Sequence, residues 1–356
     1  MAAADPVGLV LQVQRMSTED GPGLRSTAFL KGCPLSCAWC HNPESISPLP
    51  ELQWIETRCI AGTTRDGCGA CVAACPAGAL SRSMSGAVGA GELVIDRAAC
   101  RTARTAGTGA EACGFACAEA CPSGAVERLG TQMRASELAG ELMKDRAYFS
   151  GSDRGGITLS GGEASAQPRF AREVLRAAKE AGIHTALDTC GFAAWDSLAA
   201  LYDYVDLVLW DLKELDPDRH LRYTGASVDP IVENLRRTAT LMAAGAGPGA
   251  VWVRSPIVPG ATDRAESVEA IGRLLATMPT LRLERWELCA FNNLCADKYR
   301  RLGVDWAHSG TPLMRASDMD RLAAAAERGL GQKGIVSWTG SVEIEKGGSH
   351  GTARLA

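Results

Sequence analysis

Fourteen cysteines stand in a chain of 356 residues, and eleven of them lie between residues 33 and 121. Clustered cysteines serve either as disulfides in an oxidising compartment or as metal ligands in a reducing one. The first residues show no basic segment followed by an apolar run, so we expect no signal peptide, and a chain of this length needs no disulfides to hold its core. We therefore predict that these cysteines bind metal in the cytoplasm.

Charge and hydropathy argue against two classes of partner. The formal net charge of -4 gives no general attraction to nucleic acid or to an anionic membrane surface. The sequence also has no apolar run of about 18 residues, the minimum for a membrane-spanning helix. We expect neither a nucleic-acid partner nor a membrane partner.

Apolar, strand-like runs alternate with amphipathic helical stretches along most of the chain after residue 133. The predicted strands are 24–31, 157–160, 184–188, 207–212, 251–257 and 283–288, and the predicted helices between them are 168–181, 194–203, 229–244 and 264–277. Such alternation implies a parallel sheet with helical crossovers. We therefore predict an α/β fold of six β/α units, either a partial (β/α)6 barrel or an open doubly wound sheet.

The predicted domain organisation is a split core with an insert. Residues 1–55 form the first part of the core with the first cysteine loop, and 129–328 form the remaining β/α units. Residues 56–128 are rich in Cys, Gly and Ala and resemble a small domain held by metal. Residues 329–356 lack periodicity and are predicted to be a flexible tail.

The first cysteine loop has the spacing C-x3-C-x2-C at Cys33, Cys37 and Cys40. Three thiolates on one short loop can hold three irons of a [4Fe–4S] cluster, which leaves the fourth iron open to a small chelating molecule. Trp39 would shield one side of such a cluster. A zinc site with a distant fourth ligand, such as His41, is the alternative, although zinc sites usually use C-x2-C pairs.

The loop and its flanks, D-G-P-G-L-R at 20–25 and C-H-N-P-E at 40–44, resemble the radical S-adenosylmethionine (SAM) superfamily. Within it they are similar to the glycyl-radical-enzyme activating enzymes of the pyruvate formate-lyase activating type. The resemblance implies that a reduced cluster cleaves SAM and that the resulting radical takes a hydrogen atom from a glycine Cα of a partner enzyme. It also implies cofactor contacts from Trp39 and Asn42, and a low-potential electron donor such as flavodoxin or ferredoxin.

The insert holds two groups of four cysteines, and each group ends in Cys-Pro within a matching phrase, ACPAGAL or ACPSGAV. Such runs are typical of bacterial ferredoxins, in which the fourth cysteine of each run ligates the other cluster. We therefore predict two further [4Fe–4S] clusters, one held by Cys59, Cys68, Cys71 and Cys121 and the other by Cys75, Cys100, Cys113 and Cys117. The loops after the first cysteine of each group are longer than usual, but closure entropy grows slowly with length. A pair of all-cysteine zinc sites is the alternative.

Polar motifs follow three predicted strands, where ligands of parallel α/β sheets bind. They are Gly161-Gly162-Glu163, Asp188-Thr189-Cys190-Gly191 and Asp211-Leu212-Lys213. The resemblance implies that Glu163 receives the SAM amino group, with Gly161 and Gly162 letting the backbone approach it. It further implies that Lys213 pairs with the SAM carboxylate and that Asp188 and Asp211 hold a cation or the polar end of SAM.

Two later positions are also candidate SAM contacts by resemblance, Arg254 on a strand and Asn292 in the loop after the sixth strand. The chain departs from the family pattern with Ala164 where proline is usual, Asn292 where histidine is usual and Cys295 where glycine is usual. We expect Cys190, Cys289 and Cys295 to be buried thiols without a role, and only Cys190 to lie near the SAM pocket.

Three functions remain open on the sequence alone. The leading hypothesis is an activating enzyme that installs a glycyl radical on a partner enzyme. The second is a radical SAM enzyme that acts on a small molecule or a peptide, which the departures at Asn292 and Cys295 would accommodate. The third is an electron carrier or a zinc-stabilised binding module, which would leave the strand-end motifs without a role.

Overall fold

A computed structural model describes residues 5–62, 68–83, 92–105 and 113–343. Contacts within the chain divide it into two compact units. The core unit comprises Met1–Pro48, Gln132–Cys295 and Ala307–Ala356, and the insert unit comprises Leu49–Thr131 and Ala296–Trp306.

The described segments contain strands and helices in the following order. The strands are β1 (Val7–Ser17), β2 (Arg25–Leu30), β3 (Glu51–Trp54), β4 (Leu80–Arg82), β5 (Leu93–Ile95), β6 (Val126–Leu129), β7 (Thr131–Arg134), β8 (Gly156–Gly161), β9 (His184–Thr189), β10 (Leu207–Asp211), β11 (Ala250–Ile257), β12 (Leu283–Ala290), β13 (Met314–Arg315), β14 (Val336–Thr339) and β15 (Val342–Glu343). The helices are α1 (Ala70–Ala73), α2 (Arg97–Thr105), α3 (Ala116–Glu119), α4 (Ala135–Leu142), α5 (Arg146–Phe149), α6 (Pro168–Glu180), α7 (Trp195–Tyr202), α8 (Pro217–Thr224), α9 (Asp229–Ala243), α10 (Ala265–Ala276), α11 (Ala296–Leu302) and α12 (Ala316–Leu330). At no more than 15 residues, none of these helices has the length and apolar character needed to cross a bilayer.

The core unit is built on a sheet of nine strands in the order β14-β12-β11-β10-β9-β8-β2-β1-β7. The strands from β14 to β2 are parallel to their neighbours, and β1 is antiparallel to β2. The six predicted strands correspond to β2, β8, β9, β10, β11 and β12. The predicted α/β class with six β/α units is therefore confirmed.

The two faces of the parallel strands have different surroundings, because successive side chains of a strand point to opposite faces. Val208 and Trp210 of β10 belong to the large core cluster that includes the buried faces of α6, α7, α9 and α10. Leu207 and Leu209 point to the other face and form a small separate cluster with Ala186, Ala250 and Trp252. Among the described residues the helices thus cover one face, as in a partial barrel, and do not flank both faces as in a doubly wound sheet.

The end of the described chain differs from the predicted tail. β14 pairs in parallel with β12 and forms one edge of the nine-stranded sheet, and β15 pairs with β13. The tail prediction over 329–356 is therefore wrong for residues 336–343. Val336 and Trp338 pack against the core cluster, so these few apolar residues suffice for an edge strand although they are too few to give a periodic signal. Residues 344–356 lie outside the described residues.

The insert unit has two antiparallel strand pairs, β3 with β6 and β4 with β5. Its own core cluster consists of Leu52, Cys71, Ala79, Leu80, Leu93, Cys100, Phe115, Cys117 and Val126. Three of these nine residues are cysteines of the two predicted ligand groups. So small an apolar core is typical of a domain whose fold depends on a bound metal group.

Candidate active site

A cavity of about 310 Å³ opens at the carboxyl ends of the parallel strands in the core unit. Its walls come from the loop after β2 and from the ends of β8, β9, β10, β11 and β12. The predicted site residues that line it are Cys33, Cys37, Trp39, Cys40, Asn42, Gly161, Gly162, Asp188, Asp211, Lys213 and Arg254. The structure thus brings together residues that lie more than two hundred positions apart in the sequence.

The cysteine loop is held in place by the end of α8. The backbone N–H of Ser36 donates to the carbonyl of Thr224 at 2.8 Å, and that of Ala38 donates to the carbonyl of Tyr223 at 2.9 Å. Gly225 ends α8 with φ +77°, and a Cβ there would lie 2.5 Å from Ser36 Oγ. The left-handed φ favours glycine at this position, and a larger residue would also have to displace the Ser36 hydroxyl.

The side chains of Cys33, Cys37 and Cys40 are half-buried in this loop and line the cavity. Burial raises the pKa of Cys33 and of Cys40 to about 12, and it also raises the pKa of Cys37. A thiolate here needs a cation to stabilise it, and iron supplies that charge while accepting soft sulfur ligands. Three convergent thiols beside an open cavity fit an iron–sulfur cluster with one iron left free.

Four charged side chains form the polar wall of the cavity. Arg254 Nη2 donates to Asp188 Oδ1 at 2.7 Å, and Arg254 Nε lies 3.4 Å from Asp211 Oδ1. Lys213 Nζ donates to Asp211 Oδ2 at 2.6 Å, and Ser160 Oγ donates to Asp188 Oδ2 at 2.6 Å. Each of Asp188, Asp211 and Arg254 lies two residues after an apolar residue of the same strand that points away from the helices. Those apolar residues are Ala186, Leu209 and Trp252. Because side chains two residues apart on a strand share a face, the three charged side chains also point away from the helices.

Burial and charge pairing set the ionisation of this wall. Burial raises the pKa of Asp188 to about 6, while Arg254 acts in the opposite direction. Burial also disfavours the ionised form of Asp211, but Lys213 and Arg254 outweigh it and lower the pKa of that carboxyl. Asp211 in turn outweighs the burial of Lys213 and raises the pKa of its ammonium group. At neutral pH the wall therefore carries two anions and two cations, which can bind the carboxylate and ammonium of a zwitterionic ligand.

Glu163 has a different environment from the one that the resemblance implies. Its carboxylate accepts hydrogen bonds from the N–H and hydroxyl of Ser165, from the Thr189 hydroxyl at 2.9 Å and from the Cys190 N–H at 2.8 Å. Glu163 is buried and is not among the residues lining this cavity. The carboxylate joins the end of β8 to the end of β9, while Gly161 and Gly162 present the backbone to the cavity.

The late loop contributes through residues other than Asn292. Asn292 does not line the cavity, and its Oδ1 accepts the backbone N–H of Leu294 at 3.2 Å, closing a local turn. Phe291 and His41 line the cavity instead, with their ring centroids 6.4 Å apart. The sequence signal for Phe291 was its position directly after β12, the same kind of strand end that marks Asp211.

The expectation that Cys190 alone of the remaining thiols lies near the pocket is wrong, because Cys289 also lines the cavity. Cys289 belongs to β12, and the two-residue period of that strand places Trp286 and Leu288 in the core beneath the helices and Cys289 on the other face. Cys190 packs beside Leu35 and the cluster-loop cysteines Cys33 and Cys37. Cys295 is buried outside the cavity, with its Sγ 3.8 Å from the carbonyl oxygen of Cys40.

The two halves of the insert unit repeat the same local structure. Trp54 ends β3 five residues before Cys59, and Ile95 ends β5 five residues before Cys100. In each half a short helix carries one cysteine, and the next cysteine accepts a backbone N–H, from Ala79 to Cys75 Sγ at 3.3 Å and from Val126 to Cys121 Sγ at 3.4 Å. The long spacers after Cys59 and Cys100 therefore interrupt a repeat that is otherwise intact.

The thiols of the insert unit form two sets of neighbours, and each set includes cysteines from both halves. Burial raises the pKa of Cys117 to about 11, and the neighbouring thiols of Cys75, Cys113 and Cys100 act in the same direction. Burial also raises the pKa of Cys71, with Cys121 and Cys59 among the neighbouring thiols that add to it. The fourth cysteine of each run thus lies with the other run's cysteines, as a two-cluster ferredoxin requires.

Comparison with known families matches three parts of the chain. Residues 111–272 match the Radical SAM superfamily, residues 64–126 match a 4Fe-4S dicluster domain, and residues 19–59 match a 4Fe-4S single cluster domain. The match over 64–126 confirms the ferredoxin-like character of the insert. These matches favour iron–sulfur clusters over the zinc alternatives.

Several curated proteins are similar over most of the chain. The isethionate sulfite-lyase activating enzyme of Oleidesulfovibrio alaskensis is 39% identical over 82% of this chain and 86% of its own length. The enzyme of the same name from Nitratidesulfovibrio vulgaris is 37% identical over 89% of this chain and 94% of its own. The (2S)-3-sulfopropanediol dehydratase activating enzyme of Klebsiella oxytoca is 31% identical over 95% of this chain and 98% of its own.

Proposed function

Because the chain belongs to the glycyl-radical-enzyme activating family of the radical SAM superfamily, we propose which of its residues carry each part of that activity and which enzyme it activates. The observation that carries the proposal is one cavity lined by three half-buried cysteines, two carboxylates and two cations. One wall can hold an iron–sulfur cluster and the other can hold the amino-acid part of SAM.

Cys33, Cys37 and Cys40 would hold a [4Fe–4S] cluster whose fourth iron is open to SAM. When bound, this cluster supplies the electron for the reductive cleavage of SAM, and the radical formed removes a hydrogen atom from the partner's glycine. The protein excludes water around the cluster with the buried ring of Trp39, whose centroid lies 5.9 Å from that of Tyr223.

Lys213 and Arg254 would bind the SAM carboxylate, because both cations reach the cavity and carboxylates pair well with ammonium and guanidinium groups. Asp188 and the backbone of Gly161 and Gly162 that lines the cavity would receive the SAM ammonium. In this assignment Glu163 is a positioning residue, since its carboxylate ties together the ends of β8 and β9.

The insert unit would hold two [4Fe–4S] clusters in the crossed arrangement described above and would relay electrons from a low-potential donor such as flavodoxin or ferredoxin. With the cluster of the core unit, this predicts about twelve irons per chain, four for each cluster. Iron–sulfur clusters bound through so many free thiols also support placing the protein in the reducing cytoplasm.

The partner that we propose is isethionate sulfite-lyase. Two relatives at 39% and 37% identity carry the name of activating enzymes for this glycyl radical enzyme. The relative named for (2S)-3-sulfopropanediol dehydratase covers slightly more of the chain but is only 31% identical.

The proposal is tested by activating purified partners anaerobically. The reconstituted chain is mixed with SAM, a chemical reductant and isethionate sulfite-lyase, and the glycyl radical is read by electron paramagnetic resonance (EPR) while 5′-deoxyadenosine is quantified. The expected result is a glycyl-type signal that is lost with the Cys37→Ala chain. A partner with its radical glycine changed to alanine controls for radicals formed elsewhere.

Two other outcomes would contradict parts of the proposal. A signal with (2S)-3-sulfopropanediol dehydratase and none with isethionate sulfite-lyase would refute the named partner while preserving the activity. Formation of 5′-deoxyadenosine with a small molecule or peptide, and no glycyl signal with either enzyme, would support the alternative substrate class.

A further inference from the structure

The two halves of the insert unit carry an arginine at the same place in their repeats. The matching phrases extend to ACPAGALSR and ACPSGAVER, so Arg82 and Arg128 each follow the Cys-Pro cysteine by seven residues. Arg82 ends β4 and Arg128 lies in the equivalent strand β6. If the repeat were symmetrical, the two guanidinium groups would have the same surroundings.

The contacts of the two arginines differ. Arg82 is half-buried, and its Nη2 lies 3.5 Å from Cys59 Sγ and donates to the carbonyl of Cys68 at 3.1 Å. Arg128 is exposed, and its Nε donates to the carbonyl of Gly130 at 3.0 Å. Arg82 therefore contacts two cysteines of one predicted ligand group, Cys59 and Cys68. Arg128 instead donates to a backbone carbonyl two residues further along the chain.

One pair of equivalent residues accounts for this difference. Phe115 stands two residues before Cys117, and the equivalent residue two before Cys71 is Gly69. The guanidinium carbon of Arg128 lies 4.9 Å from the centroid of the Phe115 ring, within the range of a cation–π interaction. Gly69 has no side chain to attract Arg82 in this way, so Arg82 extends to Cys59.

We propose that Arg82 sets the reduction potential of the cluster held by Cys59, Cys68, Cys71 and Cys121 above that of its companion cluster. A cation that donates to a ligand sulfur stabilises the extra negative charge of the reduced cluster, and hydrogen bonds to sulfur are among the factors that set these potentials. The companion group of Cys75, Cys100, Cys113 and Cys117 has its equivalent arginine diverted to Phe115.

The consequence concerns where a single electron resides in the insert. A one-electron donor of low potential is oxidised, one [4Fe–4S] cluster is reduced from the 2+ to the 1+ state, and no bond or proton changes place. The electron then occupies the Cys59 cluster in preference to its companion. This inference depends on the two-cluster assignment proposed above, and Arg82 acts in it as a positioning residue that adjusts a potential.

The test is a redox titration followed by EPR in the full-length chain with Cys33, Cys37 and Cys40 changed to alanine, so that only the insert clusters are titrated. In Arg82→Gln we expect the higher of the two potentials to fall, with the ratio of reduced to oxidised cluster at a fixed potential dropping about tenfold, which is 59 mV for a one-electron couple. Arg82→Lys keeps the charge and should give a smaller drop. Arg128→Gln is the matched control and should change both ratios less than about twofold.

The outcomes separate this inference from the assignment beneath it. Fewer than about eight irons in the background chain would refute the two-cluster assignment itself, whatever Arg82 does. With iron intact, an unchanged higher potential in Arg82→Gln, or a larger change in Arg128→Gln, would refute the role of Arg82. If Arg82→Gln loses iron, Arg82→Met decides, because it also removes the charge, and an unchanged higher potential there with iron intact refutes the role of Arg82.

Discussion

Among the described residues, Lys213 pairs with one carboxylate, that of Asp211, whereas Arg254 lies between Asp188 and Asp211. A ligand carboxylate can therefore bind the Lys213 ammonium group either in place of the Asp211 carboxylate or together with it. This makes Lys213 the residue at which binding of the SAM carboxylate is tested most directly.

We predict that Lys213→Gln weakens SAM binding about tenfold or more, because a hydrogen bond to a charged group contributes about 1.5–3 kcal/mol. The measurement is the dissociation constant of SAM for the anaerobically reconstituted chain. Asn292→Ala is the control, and it should change the constant less than about twofold because Asn292 closes a turn outside the cavity. Equal losses in both variants would show that the late loop reaches SAM after all.

At the scale of elements, α10 and α12 of the core unit cross at two glycines. A Cβ on Gly272 would lie 2.7 Å from the carbonyl oxygen of Ala326 and 2.7 Å from the backbone N of Leu330. A Cβ on Gly329 would lie 2.1 Å from the carbonyl oxygen of Glu269. The atoms in the way belong to backbone, so the helices approach this closely only because both positions lack a side chain.

We predict that Gly272→Ala lowers the free energy of unfolding by about 1–3 kcal/mol, because the added methyl group overpacks the crossing. Gly140 of α4 is the matched control, since it is exposed and a Cβ there would meet no atom within 4 Å. Gly140→Ala should raise the free energy of unfolding by about 0.4–1 kcal/mol through the unfolded state. Anaerobic denaturant titrations compare the two, and a stabilised Gly272→Ala would mean that the helices separate without loss.

On the scale of the whole molecule, the cysteines divide by position into one group of three in the core unit and two groups of four in the insert unit. The remaining cysteines are Cys190, Cys289 and Cys295, all in the core unit. This division makes the iron content a test of which cysteines are ligands.

We predict that Cys100→Ser lowers the iron content by one cluster, from about twelve to about eight irons per chain, because Cys100 neighbours Cys117 and belongs with it to one proposed ligand group. Iron and sulfide analysis after anaerobic reconstitution measures the loss. Cys289→Ser should keep the full iron content although it lines the SAM cavity. A full iron content in Cys100→Ser would mean that the long spacer before Cys113 removes Cys100 from the ligand set.

Much of the fold and site could be predicted from local pattern. The six parallel strands follow from apolar runs, and Asp188 and Asp211 were expected at strand ends because parallel strands bring those ends to one edge of a sheet. Arg254 was expected only from the family resemblance. The edge strand β14 was not predicted, because an edge strand needs only a few apolar residues and these give no periodic signal. The position of Cys289 in the cavity was not predicted, because a shift of one residue in the phase of β12 would place its side chain on the other face of the sheet.

The sequence by itself determined the chemistry of this protein, because cysteine spacing and strand-end motifs are local and specify which atoms are offered as ligands. Only the tertiary structure decided how those atoms are used. The Glu163 carboxylate accepts hydrogen bonds from Thr189 and Cys190, and the Asn292 side chain accepts one from the backbone N–H of Leu294. These donors are the nearest in space, and they satisfy the polar oxygens that the sequence alone would assign to a ligand. The same holds for Arg82 and Arg128, which are equivalent in sequence but differ in surroundings because one has Phe115 beside it and the other does not.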